Sequence, residues 1–276
     1  MRWSRSKIGG ITRTIAVAVL LSVSICLTHF GCGGGKEDPL EAFQAAASAL
    51  AETPTVHAQV EGEVSPEEDD KKSSYPFQGD LWLDTAARAM EARMTVLGME
   101  LMARYVGGEA YFQWGGKWFY LSQEGKGLFD LDNFRMAMEV LFKLPGLLSA
   151  AEAVPAGEGR AGQHGVLYLD LNFDYRTLAE REDLRGIAEA VGRDPSEISS
   201  WLEEADPVIR IGVGKVDKVL REMDLEMEVK LEGPVKLGGM ITLPPSMRLR
   251  MHVLFPEFGM EVKVAPPTQA EPFRGF

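Results

Sequence analysis

Between Val56 and Leu121 apolar residues recur at every second position, and glycines stand between the runs. Val56, Ala58, Val60 and Val64 alternate with His57, Gln59, Glu61 and Glu63. Similar runs follow at Phe77–Asp84, Ala89–Val96, Met99–Val106, Ala110–Trp114 and Lys117–Leu121, broken by Gly98, Gly107-Gly108 and Gly115-Gly116. A period of two sends successive side chains to opposite faces of a strand. Glycine pairs supply the positive φ that two-residue hairpin turns require. The stretch therefore predicts an antiparallel meander with one covered face and one wet face. The polar run Ser65–Ser74, with Glu67-Glu68-Asp69-Asp70-Lys71-Lys72 at its centre, reads as a solvated hairpin tip.

Helical spacing appears elsewhere. From Pro39 to about Glu52, Leu40, Phe43, Ala47 and Leu50 fall on one stripe, with Glu41 in the first turn. Leu131, Phe134, Met138, Leu141 and Phe142 form a second stripe, stopped by Pro145-Gly146. A short turn is expected at Leu147–Val154, then a Gly-rich loop crossing to His164. After a strand at Val166–Leu171, a helical interval spans Tyr175–Val191. Asp194-Pro195-Ser196-Glu197 then supplies an N-cap and a proline at the first helical position, opening a helix with Ile198, Trp201 and Leu202 on its apolar face. Strands resume at Val208–Val213, Val219–Leu231, Ser246–Phe255 and Phe258–Val264, and residues 266–276 are expected to fray. Runs of strands interrupted by runs of helices give the α+β class: one long antiparallel sheet of roughly ten strands, with helices at its start and middle.

The first 31 residues stand apart. Arg2, Arg5, Lys7 and Arg13 precede an apolar run from Ile15 to Leu27. That run is short for a bilayer span, which wants about 20 apolar residues, and suits the core of a signal peptide. Gly31-Cys32 and the tether Gly33-Gly34-Gly35 follow. This arrangement resembles bacterial lipoprotein signals, although His29 and Phe30 replace the usual leucine and small residue before the cysteine. The resemblance implies cleavage after residue 31 and a diacylglyceryl (palmitate-type) anchor on Cys32; the alternative is an ordinary secretory signal or an uncleaved anchor, with Cys32 incidental. The expected order is signal peptide 1–31, lipidated tether 32–38, one domain over 39–265 and the tail. The only other cysteine, Cys26, lies in the apolar run, so a chain starting at Cys32 has no internal disulfide and no thiolate metal site. The four basic residues leave with the signal and no acidic residue does, which deepens the formal net charge from −12 to −16. Such a balance excludes nucleic acid as a partner, since its affinity comes mainly from neutralising phosphates.

No nucleophile elbow, phosphate-cradling glycine loop or paired-histidine metal signature is present. His57, His164 and His252 each stand at the polar parity of a strand, as most carboxylates do, so solvent exposure explains them. No catalytic residue, metal or cofactor is expected. The inward parity is different in character: it carries many of the chain's 13 methionines, beside the aromatic cluster Tyr111, Phe112, Trp114, Trp118, Phe119 and Tyr120. Methionine is a flexible gap-filler, over-used where a surface must accommodate variable apolar partners. A large core explains any one of these residues. A wide sheet that curls must either fill its concavity or hold something there. The residues expected to line such a cavity are Val60, Leu81, Leu83, Met94, Leu101, Phe112, Trp118, Met138, Leu141, Leu225, Met227 and Met251.

A lipid-modified cysteine, an Ala-striped helix, "TVHAQVEGEV", "GDLWLD" and "GGEAYFQWGGKWFYL" follow one another in order. The chain here resembles LppX/LprG-type envelope lipoproteins and, more distantly, the LolA/LolB-like fold, from about Leu40 to Val264. The resemblance implies a curved antiparallel sheet, an open half-barrel, with helices covering the concave face. It also implies a cavity that takes the acyl chains of an envelope lipid or lipoglycan. It places the protein outside the cell membrane, held by the lipid on Cys32, as a carrier and not an enzyme. A groove that binds an envelope protein partner and regulates assembly or signalling is the rival reading. A hydrolase assembled from distant residues is the third.

Overall fold

Both glycine pairs turn hairpins in the way the sequence demands. Gly107 and Gly108 have φ of 62° and 81°, and Gly115 and Gly116 58° and 80°, the positive values of a two-residue primed turn. The computed structural model describes residues 39–66, 74–96, 98–121, 138, 142, 151–191, 194–230, 235–237, 241–243 and 246–273. Residues 1–38, including Cys32, and the charged run 67–72 lie outside these.

Strands β1 (Thr55–Pro66), β2 (Tyr75–Asp84), β3 (Ala89–Val96), β4 (Met99–Val106), β5 (Glu109–Trp114) and β6 (Lys117–Tyr120) form the expected meander. The second half comprises β7 (Glu152–Ala161), β8 (His164–Asn172), β9 (Val208–Gly214), β10 (Leu220–Lys230) and β13 (Ser246–Phe258). The halves join where β13 pairs antiparallel with both β1 and β10. With β14 (Glu271–Pro272) the spatial order is β14-β6-β5-β4-β3-β2-β1-β13-β10-β9-β8-β7, twelve strands that do not close. A separate ribbon pairs β11 (Val235–Leu237) with β12 (Ile241–Leu243). Among the described residues four helices with defined bounds lie on one face: α1 (Pro39–Glu52), α2 (Tyr175–Glu180), α3 (Glu182–Val191) and α4 (Pro195–Ala205). The expected open α+β half-barrel with helical cover is the fold observed.

Alternation decides which face the helices cover. On β1, Val56, Ala58 and Val60 are buried, their partners Leu83, Leu81 and Val253 extend the same apolar rows, and Met223 continues the row beyond Val253. α1 adds Ala42, Phe43 and Ala46 to this core and packs on β7, β8 and β9, while α4 packs on β10. Asp194 caps α4 as its sequence predicts: its carboxylate accepts from the Ser196 amide at 2.9 Å, with Pro195 at the helix start. Asp174 does the same for α2, accepting from Arg176 and Thr177 amides.

The structure corrects several expectations. The helical interval Tyr175–Val191 is two helices, because Arg181 adopts extended dihedrals (φ −73°, ψ 143°) between α2 and α3. The short turn and loop expected at 147–163 contain strand β7. It was illegible as EAVPAGEGRA because an edge strand needs no apolar face, and a bulge between Pro155 and Gly157 breaks the alternation. β13 runs unbroken to Phe258, and the expected separate strand Phe258–Val264 is absent. Gly259 turns there with φ of 67°, and residues 260–270 leave the sheet's ladder. The tail does not fray through Phe273: β14 pairs parallel with β6, and Phe273 is buried. Of the stripe from Leu131, only Met138 and Phe142 are described, both helical; Leu141 lies outside the described residues.

Candidate ligand-binding face

Strand register places the expected lining residues directly, since paired residues share a face. Val60 stands opposite Val253, Leu225 opposite Met251, and Met227 opposite Leu249. Leu81 and Leu83 meet Ala92 and Met90, Met94 meets Leu101, and Ala103 meets Phe112. Val60, Leu81, Leu83, Met94, Leu101, Phe112, Leu225, Met227 and Met251 therefore lie on one apolar face, the one beneath the helices. Met138 joins them from the helical side, fully buried.

Trp118 does not. The two-residue turn Gly115-Gly116 sets Trp114 opposite Lys117, hence Gln113 opposite Trp118 and Phe112 opposite Phe119. Trp118 faces outward, where the Arg104 guanidinium lies 4.7 Å over its ring. Its place on the inner face belongs to Phe119, stacked on Phe112 at 5.4 Å, with Phe273 edge-on to Phe112 at 4.8 Å. Counting across the glycine pair would have found Phe119; no local signal marks Phe273, which the chain delivers from 154 residues further on by returning along β6.

Burial on this face is uneven. Leu83 and Met223 are 0 % exposed and Met227 and Met251 3 %. Toward the opposite end of β1–β4, Val64, Tyr75, Phe77, Met94, Val96, Met99 and Leu101 are only half-buried. Two strand-interior glycines lie among them. A Cβ at Gly62 would strike the Phe77 ring, and one at Gly79 the Met94 sulfur, so both long side chains lie flat over bare backbone. The inner face thus passes from a close-packed core to a looser apolar floor.

The outer face carries the charge. Glu91, nearly buried, takes Arg93 at 2.6 Å and Arg104 at 2.7 Å, and Arg93 in turn covers Trp82. Trp82 stacks on His57, whose Nε2 lies 2.8 Å from Asp80. His252 Nδ1 lies 2.7 Å from Asp224, and this hydrogen bond raises its pKa above the ordinary histidine value. His164 approaches Asp217 at 4.0 Å. Each of these three histidines thus has a carboxylate neighbour, beyond the plain solvent exposure its parity suggested. Glu222 is buried on this face and hydrogen-bonds the Tyr168 hydroxyl, which pushes that phenol up to about 12. Among the described residues no group of three or more His, Cys, Asp or Glu could hold a metal ion, and no catalytic motif is found.

Fold and register together define an open half-barrel with one apolar face under helices. Neither a family model nor a curated sequence matches the chain. Among solved structures it is similar to LprF from Mycobacterium bovis, at 9 % identity over 86 % of this chain and 99 % of that one, with a TM-score of 0.46. It is similar to the Mycobacterium tuberculosis lipoprotein LppX at 10 % identity over 83 % and 100 %, TM-score 0.44. A chain of the Pseudomonas aeruginosa MucA/MucB complex follows at 11 % identity over 84 % and 59 %, TM-score 0.34. At such identities no residue role passes from them to this chain.

Proposed function

We infer that this protein is a lipid-anchored envelope protein that carries the acyl chains of an envelope lipid or lipoglycan against the inner face of its half-barrel. The observation that carries this reading is the half-buried apolar floor formed by Phe77, Met94, Val96, Met99 and Leu101 on the inner side of β2–β4, of which Phe77 packs against the core. Burial supplies the affinity without any reaction, since each methylene removed from water contributes about 0.8 kcal/mol. The anchor is the diacylglyceryl group on Cys32, which holds the protein on the outer side of the membrane.

Two experiments test it. Organic extraction of the purified protein followed by mass spectrometry should release acyl lipids. Met94→Trp and Leu101→Trp should reduce uptake of a fluorescent fatty-acyl probe while leaving the denaturant midpoint nearly unchanged. Met227→Trp, placed where the core is closed, should instead cost about 1–3 kcal/mol. Lipid-free protein, no uptake by the wild type and equal destabilisation at all three positions would overturn the carrier and leave the protein-binding groove.

A further inference from the structure

The face opposite the helices carries a site of its own. Eight outward side chains, one per strand, form a row from β8 to β4: Asp170, Arg210, Asp224, His252, then Glu61, Gln78, Thr95 and Glu100. At about 4.8 Å per strand this row is on the order of 30 Å long. Two adjoining hollows, of about 540 and 650 Å³, lie along it and share Glu61, Gln78 and His252. The first hollow alone is within the size range of small-ligand sites.

The two ends of the row differ in what their groups have left to give. At the β8–β13 end the charges are spent on one another: Arg210 bonds Asp170 at 2.7 Å, and His252 bonds Asp224. In the first hollow the side chains of Gln78, Thr95 and Gln113 make no hydrogen bond among the described residues, and Met102 and Leu254 add apolar wall. Amides and a hydroxyl both donate and accept, which suits ligand hydroxyl groups. An anion is disfavoured, because Glu61, Asp80 and Glu100 line the hollow and its one guanidinium, Arg93, is held by Glu91. A metal ion is disfavoured, since these carboxylates do not cluster.

We propose that this outer trough binds a neutral, hydroxyl-rich linear chain, an oligosaccharide, with Gln78, Thr95 and Gln113 bonding its hydroxyls and Met102 and Leu254 meeting its ring C–H faces. Val60, Gly79, Met94 and Leu101 also border the first hollow, but their register places them at the inner parity; Gln78, Thr95 and Gln113 stand at the outer parity, so substitutions there are read separately from acyl-chain uptake.

The purified protein is titrated, by calorimetry and by amide NMR, with tetrasaccharides of glucose, mannose and N-acetylglucosamine, and separately with tetralysine. At least one sugar should bind, shifting the amide signals of β2–β5. Gln78→Ala/Gln113→Ala should weaken it roughly tenfold or more, with thermal midpoint and fatty-acyl uptake unchanged. Thr95→Ala, a smaller excision, should weaken it less. No sugar binding up to about 10 mM, binding indifferent to all three substitutions, or tetralysine binding more tightly than any sugar would each overturn the proposal; the last would make the trough an acidic docking surface for cationic protein.

Discussion

His252 sits between Asp224 of β10 and Glu61 of β1, with Glu222 diagonal to it, so negative groups face it from both neighbouring strands. The hydrogen bond to Asp224 is the main reason its folded pKa is raised, and burial opposes it. A group whose folded pKa lies above its unfolded value of about 6.5 stabilises the fold fully below that value and loses the contribution as pH rises through the folded pKa. NMR titration of the imidazole should therefore show a midpoint above 6.5, falling in Asp224→Asn. The difference in stability between wild type and His252→Asn should shrink from pH 6 to pH 9; a constant difference would contradict the assignment. The aromatics make a second contrast between single residues. Phe112→Ala should cost about 3–5 kcal/mol, because Phe119 and Phe273 lose their shared partner. Trp118→Ala, on the wet face, forfeits chiefly the Arg104 contact and should cost no more than about 1 kcal/mol. Urea midpoints measure both.

At the scale of elements, the C-terminal segment covers the sheet's β6 edge. From Gly259 it leaves the ladder, takes a hydrogen bond from Thr55 to the Met260 carbonyl at 2.5 Å and one from Arg104 to the Ala265 carbonyl, and arrives at β6 as β14. Phe273 then fills the inner face between Phe112 and Phe119. Phe273→Ala should lower stability by about 3–5 kcal/mol, and amide exchange should rise in β5 and β6 more than in β9 and β10. Equal exchange in both halves would show the tail to be dispensable. Gly79 tests the other end of the same half. Any side chain there collides with the Arg93 carbonyl and the Met94 sulfur, so Gly79→Val should destabilise by at least about 1–3 kcal/mol despite the higher strand propensity of valine.

For the molecule as a whole, the sequence carries no cysteine after Cys32, and the described residues hold no cluster of metal ligands. Its thermal midpoint should accordingly be unmoved by reductant or chelator, and a drop of several degrees with either would reveal a bond or ion that the fold depends on. What the sequence by itself determined is the local grammar. The alternation of Val56–Val64 and Met223–Val229 settled strands and faces, the glycine pairs settled hairpins, and Asp194-Pro195 settled a helix start, because each is governed by a few neighbouring residues. The inner face was legible for the same reason, down to Leu83 and Met251. Tertiary structure alone decided what depends on distant partners. β7 is a strand only because β8 offers it a ladder, and β14 only because β6 does. Phe273 became core because a free edge and an aromatic pair waited for it. Trp118 lies outside because pairing across Gly115-Gly116 fixed its register, and a shift of one residue inverts every side chain on a strand.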